Sequence, residues 1–377
     1  MDDSQRMRGV SRRDFLALAG TAGVMLVGVA ACGAHDDAVA SEAATQVVTD
    51  MGGTEVTVPV EPKLYADAWY AHNEVTIMLT KAEGLVATHC TPKGQPWMFY
   101  CNENINGALQ TFGDDFNYEE LVALGPQVVF DSKDTMREKL GELGIPLVNC
   151  TFSTFEQMEQ SITMSAQVFG GDAPAIAEKY NAELEQTVSD VKAVTDTIAT
   201  EDRPKVMHGP SVYTYNLDGT GTIIDTWINA AGGVNVVDAS TTGTAEASFS
   251  LEQIIAWNPD VIITGTPSEV DQILHDESWA SISAVQKGQV YVNPKGVFGW
   301  DRYGVEELLQ VPWAANLLHP DLFPDLDITQ RVKDFYHTYL YYDLTDEEVK
   351  LILAAGNPPT DGTAVASSAA DGAGASK

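Results

Sequence analysis

Two stretches of the chain carry the same order of capping, apolar and breaking positions. FNYEELVALGPQVVFD runs from Phe116 to Asp131, and FSLEQIIAWNPDVIIT runs from Phe249 to Thr264, 133 positions later. Each opens on a residue suited to cap a helix, Asn117 or Ser250, with Glu120 or Gln253 three positions on. That spacing predicts a capping box, in which both side chains satisfy free N–H groups at a helix start. Gly125 and Asn258 tolerate the left-handed backbone of a helix end, and Pro126 and Pro259 forbid continuation. The uninterrupted apolar runs VVF and VII then read as parallel strands covered on both faces. Two such units predict two α/β lobes of related design.

The same patterning extends along the chain. VVTDMGGTEVTVP (Val47 to Pro59) alternates around a Gly-Gly turn and predicts a β-hairpin. KLYADAW, GLVATH and IPLVNC read as strands, with EVTIMLTKAEG and MREKLGELG as helices between them. From Asp172 to about Ala199 the period changes. Ile176, Tyr180, Leu184, Val188, Val191 and Val194 recur at spacings of four and three, which predicts one long amphipathic helix. A second alternating series follows: KVMHGP, TIIDTWINAAGG, the second repeat copy, DQILHD, GQVYVNP and EELLQVPWAANLL. The expected fold is α/β, with two Rossmann-like lobes joined by a single long α-helix and a ligand cleft between them. The expected boundaries are a first lobe at 46–165, a connecting helix at 166–200 and a second lobe at 201–355.

The ends of the chain are different in kind. SRRDFLALAG has twin arginines ahead of an apolar run to Ala31 that is short for a membrane span. Residues 1–31 therefore read as an export signal of the twin-arginine type. Val29-Ala30-Ala31-Cys32 resembles a bacterial lipobox, which implies cleavage before Cys32 and a lipid on its sulfur. Residues 32–45 read as a flexible tether and 356–377 as a disordered tail. The expected location is extracytoplasmic, held to the cell membrane through the lipid anchor alone. An apolar share of 44% supports substantial cores, while a net charge of −33 argues against nucleic acid as a partner. Cys90 and Cys101 bracket the loop TPKGQPWMFY and are candidates for a disulfide outside the cytoplasm, with Cys150 a buried thiol.

One carboxylate in each repeat is surplus to the capping box. Glu119 and Glu252 sit at the second helical position, where a carboxylate favours the helix dipole or, as a twin pair, docks a partner. Taken together, the lipoprotein signal, the TDMGGTEVTVP opening, the NYEELVALGPQVV and SLEQIIAWNPDVI units, the central helix and GQVYVNPKGVFGWDRYGVEELL resemble the substrate-binding proteins of ABC importers. The resemblance is to the iron-complex and cobalamin group, and it covers nearly all of residues 46–355. It implies a monomeric receptor, without a cofactor of its own, that delivers a scavenged ligand to a permease dimer with a cytoplasmic ATPase. It also implies that Glu119 and Glu252 pair with arginines on the two permease subunits.

Ligands of open α/β sheets bind beyond the carboxyl ends of the strands. The candidate ligand-binding residues there are Trp69, Tyr70, His72, His89, Trp97 and Phe99 in the first lobe, and Tyr213, Tyr215, Phe298, Trp300, Arg302 and Tyr303 in the second. Such aromatics suit large flat or greasy ligands: an iron chelate, haem or a corrinoid. Arg302 could meet a ligand carboxylate, or pair with Asp301 or Glu306. His72, His89 and His208 are candidate metal ligands if they converge, and Tyr70, Tyr213 and Tyr215 candidate phenolates for ferric iron. The first expectation is a receptor for a ferric siderophore or haem. The alternatives are cobalamin, a bare metal ion, or an exported redox enzyme, although GxSxG and GxxxxGK[ST] are absent.

Overall fold

The computed structural model describes residues 44–113, 116–238 and 249–360. The signal, Cys32, most of the tether and most of the tail lie outside these residues. Strands β1 (Thr45–Thr49) and β2 (Glu55–Pro59) form the expected antiparallel hairpin, with Gly53 at φ +80° in its turn. The turn is fixed to the first lobe where the Met51 N–H donates to the Asn149 carbonyl at 2.9 Å.

The first lobe is a five-stranded parallel sheet in the order β5-β4-β3-β6-β7. Its strands are β3 (Tyr65–Asp67), β4 (Leu85–Thr88), β5 (Leu109–Gln110), β6 (Val129–Asp131) and β7 (Leu147–Asn149). They alternate with α1 (His72–Thr80), α2 (Pro96–Cys101), α3 (Tyr118–Leu124), α4 (Arg137–Glu142) and α5 (Phe155–Phe169). The second lobe is a four-stranded parallel sheet in the order β11-β10-β8-β9. It is built from β8 (Lys205–Gly209), β9 (Val234–Asn235), β10 (Val261–Thr264) and β11 (Val290–Val292). Its helices are α7 (Ile223–Ala230), α8 (Leu251–Trp257), α9 (Ser268–His275) and α10 (Ser283–Gln286). In each sheet the strand order reverses once, beside β3 and beside β8, which opens a crevice at those carboxyl ends.

Helix α6 (Ala173–Thr195) joins the lobes. Residues 166–200 are not one helix, because Gly170 and Gly171 take φ of +69° and +55° and separate α5 from α6. Ala177, Tyr180 and Leu184 of α6 lie in the core of the first lobe, and Val191 lies in a core of the second. Two further helices, α11 (Glu307–Leu318) and α12 (Ile328–Phe335), are followed by a π-turn (Tyr336–Leu340) and α13 (Asp346–Leu353). Here the structure corrects the expected boundary at 355. Val332, Phe335, Tyr336, Val349 and Ile352 share one apolar core with Val75, Met98 and Phe130 of the first lobe. Trp97 Nε1 donates to the Gly356 carbonyl at 2.8 Å and Tyr100 Oη to Glu348 Oε1 at 3.0 Å, which fastens the end of the chain there. Val297, Trp300 and Val305 belong to the same core, so the segment between β11 and α11 is where the chain crosses back.

Candidate functional site

The repeat helices are built as their sequence predicts, with one difference. Ser250 and Gln253 form the full capping box of α8. In α3 the Asn117 side chain accepts from the Glu119 N–H at 2.9 Å, and Glu120 does not complete a box. Gly125 (φ +67°) and Asn258 (φ +48°) end the two helices in the left-handed region. Glu119 and Glu252 are both exposed in the first turn. Three positions on, Val122 and Ile255 are 43% and 38% exposed. Each helix thus shows solvent a carboxylate and an apolar side chain on one face. The Glu252 carboxylate is held below its ordinary range by its own backbone N–H and the Ser250 side chain.

Between the lobes, three rings meet. Trp69 follows β3, Phe152 follows β7, and Tyr303 comes from the crossing segment. Their centroids are 5.4 Å (Trp69–Phe152), 5.8 Å (Trp69–Tyr303) and 5.7 Å (Phe152–Tyr303) apart. Tyr303 is held at φ +57°, a conformation that costs a non-glycine residue about 1 kcal/mol or more. Beside this cluster Tyr70 stacks on His89 at 3.8 Å. His89 Nδ1 lies 2.8 Å from the Ala68 carbonyl, so that nitrogen donates.

Arg302 is clamped. Its Nε donates to Asp301 Oδ2 at 2.7 Å, and its Nη2 bonds Asp301 and, at 3.2 Å, Asp218 Oδ2. Beneath them His208 is fully buried, with Nδ1 at 2.9 Å from Asp218 and Nε2 at 3.3 Å from Asp301. Burial pushes the Asp218 carboxyl up, but His208 and Arg302 outweigh it and hold it below the usual range. Burial likewise works against the Arg302 charge, and Asp301 and Asp218 raise its pKa regardless. His208, Asp218 and Asp301 offer three ligand atoms within 4.8 Å of one another, which is a cation-binding geometry. The guanidinium already supplies positive charge to the same oxygens.

Several expected site residues sit elsewhere. His72 does not approach the cleft: it is buried at the start of α1, with Nδ1 at 2.7 Å from Asp67 and Nε2 at 2.9 Å from Ser165. His72, His89 and His208 therefore do not converge. Trp97 and Phe99 are core residues of the first lobe, and Trp300 is fully buried with its Nε1 donating to Glu306 Oε1 at 2.9 Å. Tyr213 donates to Asp276 at 2.7 Å and, like Tyr215, stacks on Trp279 within the second lobe. Phe298 remains half-buried in the crossing segment. The expected Cys90–Cys101 disulfide is not formed, and Cys150 is a free, buried thiol. The Cys90 thiol points to the Tyr70 carbonyl at 3.5 Å, whereas α2 turns Cys101 toward Glu306 and Glu348. Phe152 and Asp218 were not legible as site residues, and Asp301 was legible only as an ion-pair candidate for Arg302. Of the first two, Phe152 alone carried a signal, an aromatic just beyond a strand end.

Comparison with known proteins fits this geometry. The family model described as periplasmic binding protein matches residues 111–296. The molybdate-binding protein MolA of Haemophilus influenzae is 26% identical over 333 residues, 79% of this chain and 92% of the relative. An uncharacterized ABC transporter substrate-binding lipoprotein of Bacillus subtilis, YvrC, is 24% identical over 326 residues, 81% of this chain and 96% of the relative. A crystal structure of a periplasmic solute binding protein from Veillonella parvula superposes with a TM-score of 0.71 at 27% identity, covering 82% of this chain and 97% of that one.

Proposed function

We propose that the chain is a periplasmic binding protein serving an ABC transporter, a binder and not an enzyme, and that it captures a compact iron chelate between its lobes. The observation that carries this reading is the three-ring contact of Trp69, Phe152 and Tyr303. Rings 5.8 Å apart across the cleft leave no room between them for a flat tetrapyrrole, which sets haem and the corrinoids behind a smaller ligand. Tyr70, Tyr303 and His89 offer phenol and imidazole donors suited to ferric iron. Arg302 is balanced by two aspartates, so the mouth of the cleft is not a strong anion trap. Export by the twin-arginine route and a lipid tether at Cys32 complete the reading. So does docking of Glu119 and Glu252 on paired arginines of a permease dimer.

A second reading, molybdate, is favoured by the likeness to MolA along 92% of that protein. Thermal unfolding against ferric siderophores, haemin, cobalamin, molybdate and divalent metals separates the two. A ligand bound to the native state alone at 100-fold over its dissociation constant adds about 2.7 kcal/mol, a readable rise in melting temperature. A rise with a ferric siderophore supports the first reading, and a rise with molybdate alone replaces it with the second. A rise with haemin or cobalamin overturns the compact-ligand argument.

A further inference from the structure

Glu74 of α1 and Glu306, at the entry to α11, meet where the first lobe packs on the crossing segment. Both are fully buried. Glycines make room for them. A Cβ on Gly304 would lie 2.0 Å from Glu74 Oε2, and one on Gly296 would lie 2.1 Å from Glu306 Oε1 and 1.9 Å from Tyr336 Oη. The two carboxyls are not alike. Glu306 accepts from Tyr336 Oη at 2.6 Å, Trp300 Nε1 at 2.9 Å and the Phe298 N–H at 2.9 Å. The Glu74 carboxyl faces the backbone N–H groups of Val305 and Glu306 but no side-chain donor. The titratable groups around the pair are Cys90, Cys101, Tyr180, Tyr336 and Glu307, and none of them is a cation at neutral pH. Among the described residues, no lysine or arginine bonds to either carboxyl.

Two touching carboxylates in a dry site cannot both ionise. Three donors stabilise charge on Glu306, so Glu306 ionises first and the last proton stays on Glu74. We propose that the proton held on Glu74 fastens α1 of the first lobe to the turn entering α11, making the joint between the lobes tightest in acid and looser once that proton leaves. Burial pushes Glu306 up to about 7, and burial together with the neighbouring Glu306 pushes Glu74 well above the ordinary carboxyl value of 4.5. The folded protein then holds a proton that the unfolded chain has released, and stability falls as pH rises above about 4.5.

The test compares melting temperatures of the protein and of its Glu74→Gln variant from pH 5 to pH 9. The amide of Gln keeps a neutral donor facing Glu306. The variant is expected to match the parent at pH 5 and to lose less stability toward pH 9. Parallel curves at all pH values would overturn the proposal. If the variant does not fold, hydrogen exchange of the parent carries the test. Protection of amides in α1 and early α11, corrected for intrinsic exchange, should fall together with rising pH while α7 holds. Unchanged protection in α1 and α11 would equally overturn it.

Discussion

His72 shows what a single residue can and cannot disclose. In the sequence it stands near a strand end, where a ligand-binding imidazole would stand. In the structure it is a buried partner of Asp67, whose Oδ2 also accepts from Thr76 Oγ1 at 2.7 Å. Burial disfavours its charge, but Cys150 and Asp67 outweigh that and raise it from 6.5 to about 10. Its contribution to stability is therefore full below pH 6.5 and is lost as pH rises through about 10. His72→Ala should cost about 3–5 kcal/mol in urea unfolding, because it strands Asp67, and should leave ligand affinity unchanged. The aromatics taught the same lesson. A tryptophan serves a core as readily as a cleft, and the partner that decides for Trp97 is a carbonyl at Gly356 that no local pattern connects to it. Arg302 was legible as an ion-pair candidate with Asp301, but its other partner, Asp218, is distant in sequence and required the fold.

At the scale of elements the sequence was far more informative, because caps, breakers and period are local. The hairpin and the helix-to-strand repeat formed where patterning placed them, and the linking helix formed as Ala173–Thr195, inside the expected 166–200. The difference between the repeat copies is itself testable. Ser250→Ala removes a full capping box and should cost about 1 kcal/mol in denaturant unfolding, with Asn117→Ala costing no more. If the proposed docking holds, the outward faces of α3 and α8 bear on transport. Glu119→Lys or Glu252→Lys should abolish uptake in cells while leaving ligand binding by the isolated protein intact. Val122→Asp and Ile255→Asp should weaken uptake in the same way, since each places a charge where the helix now presents an apolar contact. Loss of ligand binding in any of these four would mean that the face supports the cleft instead.

The whole molecule is less divided than two sheets suggest. The second sheet packs in cores of its own, but α6 and α11 each place residues both in the first lobe's core and in one of the second's, so the two interiors are joined through shared helices. Calorimetry should therefore give one cooperative unfolding transition. Small-angle scattering should show little change in radius of gyration on ligand binding, because two stiff helices packed into both lobes permit only small rotation. Two resolved transitions would mean that α6 and α11 do not couple the lobes. The return of α12 and α13 to the first lobe was not legible in the sequence. An amphipathic stripe on α12 or α13 says that a face is buried, but not against which lobe.

The same return sets the order in which the protein can be made. Most domains of a growing polypeptide fold as they leave the ribosome, the earliest first. Here the first lobe needs Tyr336, Val349 and Ile352 to close its interior, and Gly356 to satisfy Trp97. A nascent chain that has completed every strand of that sheet still lacks one wall of it. The lobe begun first is finished last, and a chain stopped after Leu318 would leave Val75, Met98 and Phe130 without that wall.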